Sequence, residues 1–313
     1  MKILHIGNVA GVSTELSRAQ RKIGHQSDVL VFSEHPFNYP IDILLTARAK
    51  FPFRAIEKMI IFPKSVDDYD ILHFHGGADD AILPKGSDFP LWRILGKQVF
   101  IHHHGSDIRE KRENPFFNAF ADKIFVSTPD LIRYSPKARW LPSPFHVEDT
   151  PNISVERKSP SETINVVHAT SNRERKGTDW IIEAVEELKR EGKKVELTLV
   201  ENQPHEKAME LFKKADIVVD QLRMGWYGVF AEECMALGKP ICCYIAEDLV
   251  HLLPSEMPLI NSTKDSLKRD LIELAGDFEK RAEYARRSRS YVEEVHGSIK
   301  VAKLSMGFYG QSS

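Results

Sequence analysis

Two apolar patterns alternate along this chain. Short apolar runs bounded by turn residues predict buried strands at Lys2–Ile6, Asp28–Phe32, Ile71–Phe74, Val99–His102 and Lys123–Ser127. Between the first two, Val12, Leu16, Ala19 and Ile23 recur at helical spacing and predict a helix over Gly11–Ile23, closed by Gly24. A polar stretch from Pro142 to Thr163, with Pro144, Pro151 and Pro160 inside it, interrupts the pattern and reads as a linker. The alternation then restarts with strand Ile164–His168 and helix Thr178–Arg190, whose Ile181, Ile182, Val185 and Leu188 share a face before Gly192 ends it. Strand Val195–Val200, helix His205–Ala215, strand Asp216–Asp220, a short helix carrying Glu233 and strand Ile241–Ile245 follow. The charged tail from Lys264 to Phe308 is predicted mostly helical. Strand–helix alternation on both sides of a linker predicts an α/β protein of two Rossmann-like halves with parallel sheets. In such sheets ligands bind beyond the carboxyl ends of the strands.

Composition narrows the partners. A chain of 313 residues suits two domains, and a formal charge of -2 argues against nucleic acid as the main partner. Cys234, Cys242 and Cys243 have neither metal-site spacing nor a disulfide framework, which fits a reducing cytoplasmic setting. The run Met1–Gly7 is too short for a signal peptide, and no apolar run approaches a membrane span. Residues 44–64 mix Arg48, Lys50, Arg54, Lys58 and Lys64 with Phe51, Phe53, Met59 and Phe62, against the single acid Glu57. They fit either a weak peripheral contact with the inner face of an anionic membrane, beside a lipid-linked acceptor, or a packed helix with solvated lysines. Pro52 interrupts that helix and the apolar residues suffice for packing, which favours the second reading.

Two segments carry candidate chemistry. Trp226–Pro240 reads as a turn, a short helix carrying Glu233, a glycine stop at Gly238 and the start of a strand. A carboxylate on the first turns of a helix that follows a glycine suits a sugar nucleotide. The helix end attracts a diphosphate, and the carboxylate accepts hydrogen bonds from two neighbouring hydroxyls. About fifty residues upstream, Ser171–Asp179 places Arg173 and Lys176 between a strand and a helix, with Gly177 allowing close backbone approach. The ordinary alternative is a solvated basic loop. In the first half, Gly11 closes a strand-to-helix turn and can approach a diphosphate, or can simply serve the turn. The spacing is not a dinucleotide fingerprint.

These two segments, in this order, resemble the donor-binding segments of the retaining GT-B glycosyltransferases of family 4. The resemblance implies two facing Rossmann-like domains: residues 1–145, a linker 146–163, and 164–295, with a last helix at about 296–313 returning to the first. It implies Arg173, Lys176, Gly11, Gly228 and Val229 for the donor diphosphate and Glu233 for its ribose. The ordinary alternative for such a glutamate is a solvent-facing helix position, for which the neighbouring Glu232 is the natural candidate. Arg173 takes its role from a position shifted past Ser171 and Asn172, where the family carries an arginine. The family's first glutamate, which touches the transferred sugar, falls on Gly225, so Trp226 and Tyr227 either shape the sugar pocket or pack. His104, followed by Gly105, Ser106 and Asp107, matches a histidine facing the transferred sugar, with Asp107 beside it.

The implied reaction moves a sugar from a nucleotide sugar, a UDP-sugar by family frequency or else a GDP-sugar, to a glycan, lipid-linked or small-molecule acceptor. It needs no cofactor, and the leaving phosphate takes the acceptor's proton. Alternatives on the same fold are a nucleotide-sugar epimerase or a phosphorylase. His73 and His75 share a strand face and can meet His102 and His104 at neighbouring strand ends, which leaves a metal-dependent hydrolase as a further alternative. The family has such strand ends without metal, so no metal ligand is assigned.

Overall fold

The computed structural model describes residues 1–33, 39–45, 62, 65–76, 87–109, 114–153, 155–159, 161–254 and 256–310. The chain divides into two compact units, Met1–Pro144 with Ser298–Ser313, and Phe145–Gly297.

The first unit contains β1 (Lys2–Ile6), α1 (Val12–Lys22), β2 (Gln26–Val31), β3 (Ile43–Leu44), β4 (Ile71–His75), α2 (Phe89–Ile94), β5 (Gln98–His103), α3 (Ser106–Arg109), α4 (Pro115–Phe120), β6 (Lys123–Val126) and β7 (Arg139–Trp140). Its strands form one sheet in the order β3-β2-β1-β4-β5-β6-β7, every pairing parallel. The order reverses between β1 and β4, which makes the carboxyl ends of that central pair the topological switch point. Strand alternation sends Ile3, Ile71, Phe100 and Phe125 to one face, where Leu16 and Ala19 of α1 and Val301, Ala302 and Tyr309 of the C-terminal helix Ser298–Gly310 cover them. Leu4, Ile6, Leu72, Phe74, Val99 and Ile101 point the other way, against Phe89, Trp92 and Phe117. Sheets buried on both faces read as continuous apolar runs, which is why these strands were visible in the sequence.

The second unit contains β8 (Ile164–Ala169), α5 (Arg173–Lys176), α6 (Thr178–Arg190), β9 (Val195–Val200), α7 (His205–Lys213), β10 (Ile217–Val219), α8 (Val229–Ala236), β11 (Ile241–Cys243), β12 (Ile260–Asn261), α9 (Leu267–Gly276) and α10 (Phe278–Val295). Its sheet runs β12-β11-β10-β8-β9, again all parallel. Here the order reverses between β8 and β10. Ile181, Val185 and Leu188 of α6 pack with Val166, Ile217 and Val219 of the sheet and with Leu267, Leu271 and Leu274 of α9. Hydrogen bonds tie the start of this unit to its own body: Phe145 N–H to the His296 carbonyl at 2.7 Å, and Ile153 N–H to that of Leu237 at 3.0 Å.

Periodicity missed β3, β7 and β12, edge strands of two residues each, too short to show a period of two. The strand expected to reach Ile245 stops at Cys243. Beyond it Asn261 replaces the ladder, accepting from Ile245 N–H at 2.9 Å and donating to the Ile245 carbonyl at 3.1 Å. No helix among the described residues is long and apolar enough to cross a membrane. The basic and aromatic stretch 44–64 lies outside the described residues, apart from Leu44, Leu45 and Phe62.

Candidate functional site

The switch point of the second unit is organised by a residue that sequence reasoning missed. Asp220 follows β10 and is fully buried. Its Oδ1 lies 2.6 Å from Lys176 Nζ, and its Oδ2 accepts the Gly228 N–H at 2.8 Å. Lys176 also donates to the Ala169 carbonyl at the end of β8, at 3.1 Å. One carboxylate thus joins the lysine of the first motif to the helix start of the second. Gly228 caps α8, whose first N–H groups, Val229 included, have no intrahelical partner by the geometry of any helix. A cation and a helix N-terminus meeting at a strand's carboxyl end can hold a phosphate. Below them His168 bonds the Val219 carbonyl at 2.8 Å and Thr178 Oγ1 at 2.9 Å, and burial pushes its pKa down to about 4, so it is a neutral strut between β8, β10 and α6. The sequence signal for Asp220 was available: an acid directly after an apolar strand.

Other predicted residues sit as follows. Arg173 makes a two-pronged pair with Glu201, 2.9 and 2.6 Å, at the end of β9, and that hydrogen bonding raises its pKa and lowers that of Glu201. Asn172 caps α5 by accepting from Arg175 N–H at 2.9 Å. Gly177 takes φ +75°, the turn that lets α5 and α6 follow each other directly. Glu233 is largely buried and meets His205 Nε2 at 2.7 Å, a hydrogen bond that raises the His205 pKa.

Glu232 is not the solvent-facing neighbour expected. It is buried 3.6 Å from His296 Nδ1, and burial pushes its carboxyl well above the usual range. On a helix packed against α10, the residue beside Glu233 points inward. Trp226 and Tyr227 pack rather than line a pocket: both are buried, and Tyr227 Oη bonds Tyr291 Oη at 2.8 Å and His296 Nε2 at 2.9 Å. Gly225 has φ +88°, and a Cβ there would lie 3.0 Å from that of Ala246, so the backbone itself disfavours a side chain at this position. A cavity of about 340 Å³, lined by Lys158, Glu162, Lys193 and Lys194 among others, opens at the amino ends of β8 and β9, away from the switch point.

In the first unit Gly11 precedes α1, and a Cβ on it would come within 2.9 Å of the Tyr39 ring. A diphosphate approaching Gly11 from that side would have to displace Tyr39. Asp107 does not present a free carboxylate. Its Oδ2 meets His103 Nδ1 at 2.7 Å, and its Oδ1 accepts from the backbone of His104 at 2.9 Å and of Gly105 at 2.8 Å. Burial raises its pKa, but these bonds outweigh burial and hold it below the usual range. Asp107 therefore shapes the loop that carries His104.

Five histidines converge at the β1/β4 switch point. The register sets His5 beside His73 and His75 beside His102. Alternation puts all of them, with His104, on the face under α1 and the C-terminal helix, while His103 turns to the other face. Hydrogen bonds fix their protons. Gln20 Nε2 donates to Ser305 Oγ at 3.0 Å, since that hydroxyl gives its own proton to the Ala302 carbonyl. Gln20 Oε1 is then the acceptor for His5 Nε2–H at 2.9 Å, which leaves His5 Nδ1 bare. His75 Nε2–H donates to it at 3.0 Å, so His75 Nδ1 is also bare, 3.0 Å from His104 Nε2. His73 Nδ1 pairs with Tyr309 Oη at 2.6 Å, whereas His73 Nε2 and both ring nitrogens of His102 are buried without a hydrogen-bond partner among the described residues. Burial lowers every pKa in the group, to about 4 for His5 and His104 and well below the ordinary value for His73, His75 and His102. The rings are neutral at pH 7.

No protein-family model and no curated protein matches the sequence. Solved structures do resemble it in shape. Sucrose-phosphate synthase from Thermosynechococcus elongatus is 15% identical with a TM-score of 0.69, covering 99% of this chain and 98% of that one. Anabaena Alr3699/HepE in complex with UDP-glucose is 13% identical with a TM-score of 0.67, covering 99% and 100%. The fold is GT-B. Its two Rossmann-like domains correspond to the two doubly wound sheets. A putative UDP-N-acetylglucosamine 2-epimerase from Listeria monocytogenes is also similar, at 15% identity and a TM-score of 0.55, covering 97% and 94%. The GT-B fold thus hosts more than one reaction, and the chemistry has to be argued from the site.

Proposed function

We propose that this chain is a retaining glycosyltransferase that takes its sugar from a nucleoside-diphosphate donor. The observation that carries the reading is Asp220, which holds Lys176 and the start of α8 at one point on the switch edge of the second unit. In this reading Lys176 and the N–H groups from Val229 onward hold the diphosphate, and Glu233 on the same helix holds the ribose. Arg173, tied to Glu201, supplies a more peripheral charge. The first unit takes the acceptor, and its His104 is the residue assigned to the transferred sugar. The resemblance to family 4 and the shape shared with Alr3699/HepE, whose structure holds UDP-glucose, both support a UDP-sugar. Retention places the leaving phosphate and the entering hydroxyl on one face of the sugar. The phosphate then accepts the proton, and catalysis consists of positioning and charge stabilisation.

A thermal-shift screen of nucleoside diphosphates and nucleotide sugars tests the donor, because a ligand of the folded state raises its melting temperature. The hit is then incubated with candidate acceptors and the product anomer is read by NMR. Transfer with retained configuration is expected. Inversion of the anomer, or conversion of the sugar without any acceptor, would replace the proposal, the latter by an epimerase.

A further inference from the structure

The histidine cluster does more than fill the sheet face. We propose that His75, His102 and His104 form a site for one divalent transition metal of the zinc class, with water or an anion as the fourth ligand. Ring nitrogens of these three residues lie within 4.8 Å of one another. Four-coordinate zinc, with Zn–N of about 2.0–2.1 Å, holds its ligand nitrogens about 3.3 Å apart. His75 Nδ1 and His104 Nε2 are 3.0 Å apart, so that pair has to open by roughly 0.3 Å on that zinc geometry, while the His102 ring, whose ligand atom lies within 4.8 Å of the other two, closes on them.

Three observations favour this trio. His102 buries two ring nitrogens with no hydrogen-bond partner among the described residues, a cost that a metal bond removes at one of them. The proton assignment leaves His75 Nδ1 bare before any metal arrives. It also leaves the chain Gln20–His5–His75 intact behind it, the kind of outer hydrogen bonding that orients metal-binding histidines. His104 is only half-buried, which gives the ion an entrance and room for a fourth ligand. The proton on His104 Nε2 has to move, to Nδ1 or to solvent. The deeper trio His5, His73 and His75 also has converging nitrogens. Occupying it would break the His5–His75 bond and enclose a dication among fully buried groups.

The proposal does not rest on glycosyl transfer, because metal uptake is read on the resting protein. The untagged full chain is treated with chelator, dialysed and titrated with Co²⁺, then with Zn²⁺ in competition. One equivalent of Co²⁺ should give the intense visible absorption of a four-coordinate ion, and Zn²⁺ should abolish it. His102→Phe and His104→Gln should each lower the affinity by more than about 100-fold, beyond the 10–100-fold loss typical of an outer partner. His73→Phe should keep the absorption. Absence of the signal in the wild type overturns the site. So does a signal that survives in His102→Phe but is lost in His73→Phe, which would move the ion to the deeper trio. Should His102→Phe fail to fold, His104→Gln at the half-buried edge decides.

Discussion

Lys176→Met tests whether Asp220 and Lys176 act as one unit. The substitution removes the 2.6 Å contact with Asp220 Oδ1 and leaves a fully buried carboxylate whose remaining partner among the described residues is the Gly228 N–H. Breaking a buried pair by removing one partner costs about 3–5 kcal/mol. The Lys176 side chain is 17% exposed, so water reaches the gap and the expected loss falls to roughly 2–4 kcal/mol. For a unit of this size that is roughly 5–15 °C in melting temperature. Asp220→Asn should cost less, because the amide still accepts from Gly228 and the freed lysine can reach water. The double variant should then be little worse than Asp220→Asn alone, a coupling of about 2 kcal/mol. Urea unfolding, fitted with separate transitions for the two units, measures all three variants. Additive losses would mean that the two side chains are not coupled and that Asp220 does not orient Lys176. Nucleoside-diphosphate affinity of folded Lys176→Met, measured by calorimetry, should fall about 10- to 150-fold, the loss of one charge-assisted bond. An unchanged affinity would remove Lys176 from the diphosphate site.

Three more outcomes follow from the same geometry. His104→Ala should lower kcat far more than donor affinity, whereas an equal fall in both, or none, would dissociate His104 from the reacting sugar. Gly225→Ala should destabilise by about 1–2 kcal/mol through the φ +88° backbone alone, read as a lowered urea midpoint, and an unchanged midpoint would mean that the turn relaxes freely. The histidine cluster should make the first unit acid-sensitive. Its folded pKa values lie below the unfolded value near 6.5, so the unfolded chain binds more protons as pH falls, and stability is lost from about pH 6.5 down to the folded values, about 4 for His5 and His104. Each such histidine contributes up to about 1.4 kcal/mol per pH unit in that window. A flat midpoint between pH 6.5 and 4.5 in metal-free protein would contradict the buried neutral rings.

The chain's local patterns determined the alternation of strands and helices, because a parallel sheet covered on both faces needs apolar runs and its helices need one apolar stripe. Helix Thr178–Arg190 and strand Val195–Val200 were legible to the residue for that reason. The basic turn before Thr178–Arg190 and the glycine-capped helix carrying Glu233 were legible as local structure as well, since a glycine at a helix boundary has local meaning. Register, burial and long-range pairing are not local. Nothing in Glu232-Glu233 alone says which carboxylate is buried; packing of α8 against α10 decides it. Asp220 became an organiser only when the crossover set β10 beside β8 and brought Lys176 and Gly228 to its two oxygens. His5 and Gln20 carried no signal next to His102–His104. Pairing of β1 with β4 and of β4 with β5 assembled five rings from three strands, and with them the proton order that leaves His75 Nδ1 bare. Sequence fixes which groups exist and which element each one rides on, whereas their distances are set by how strands far apart in the chain come to lie side by side.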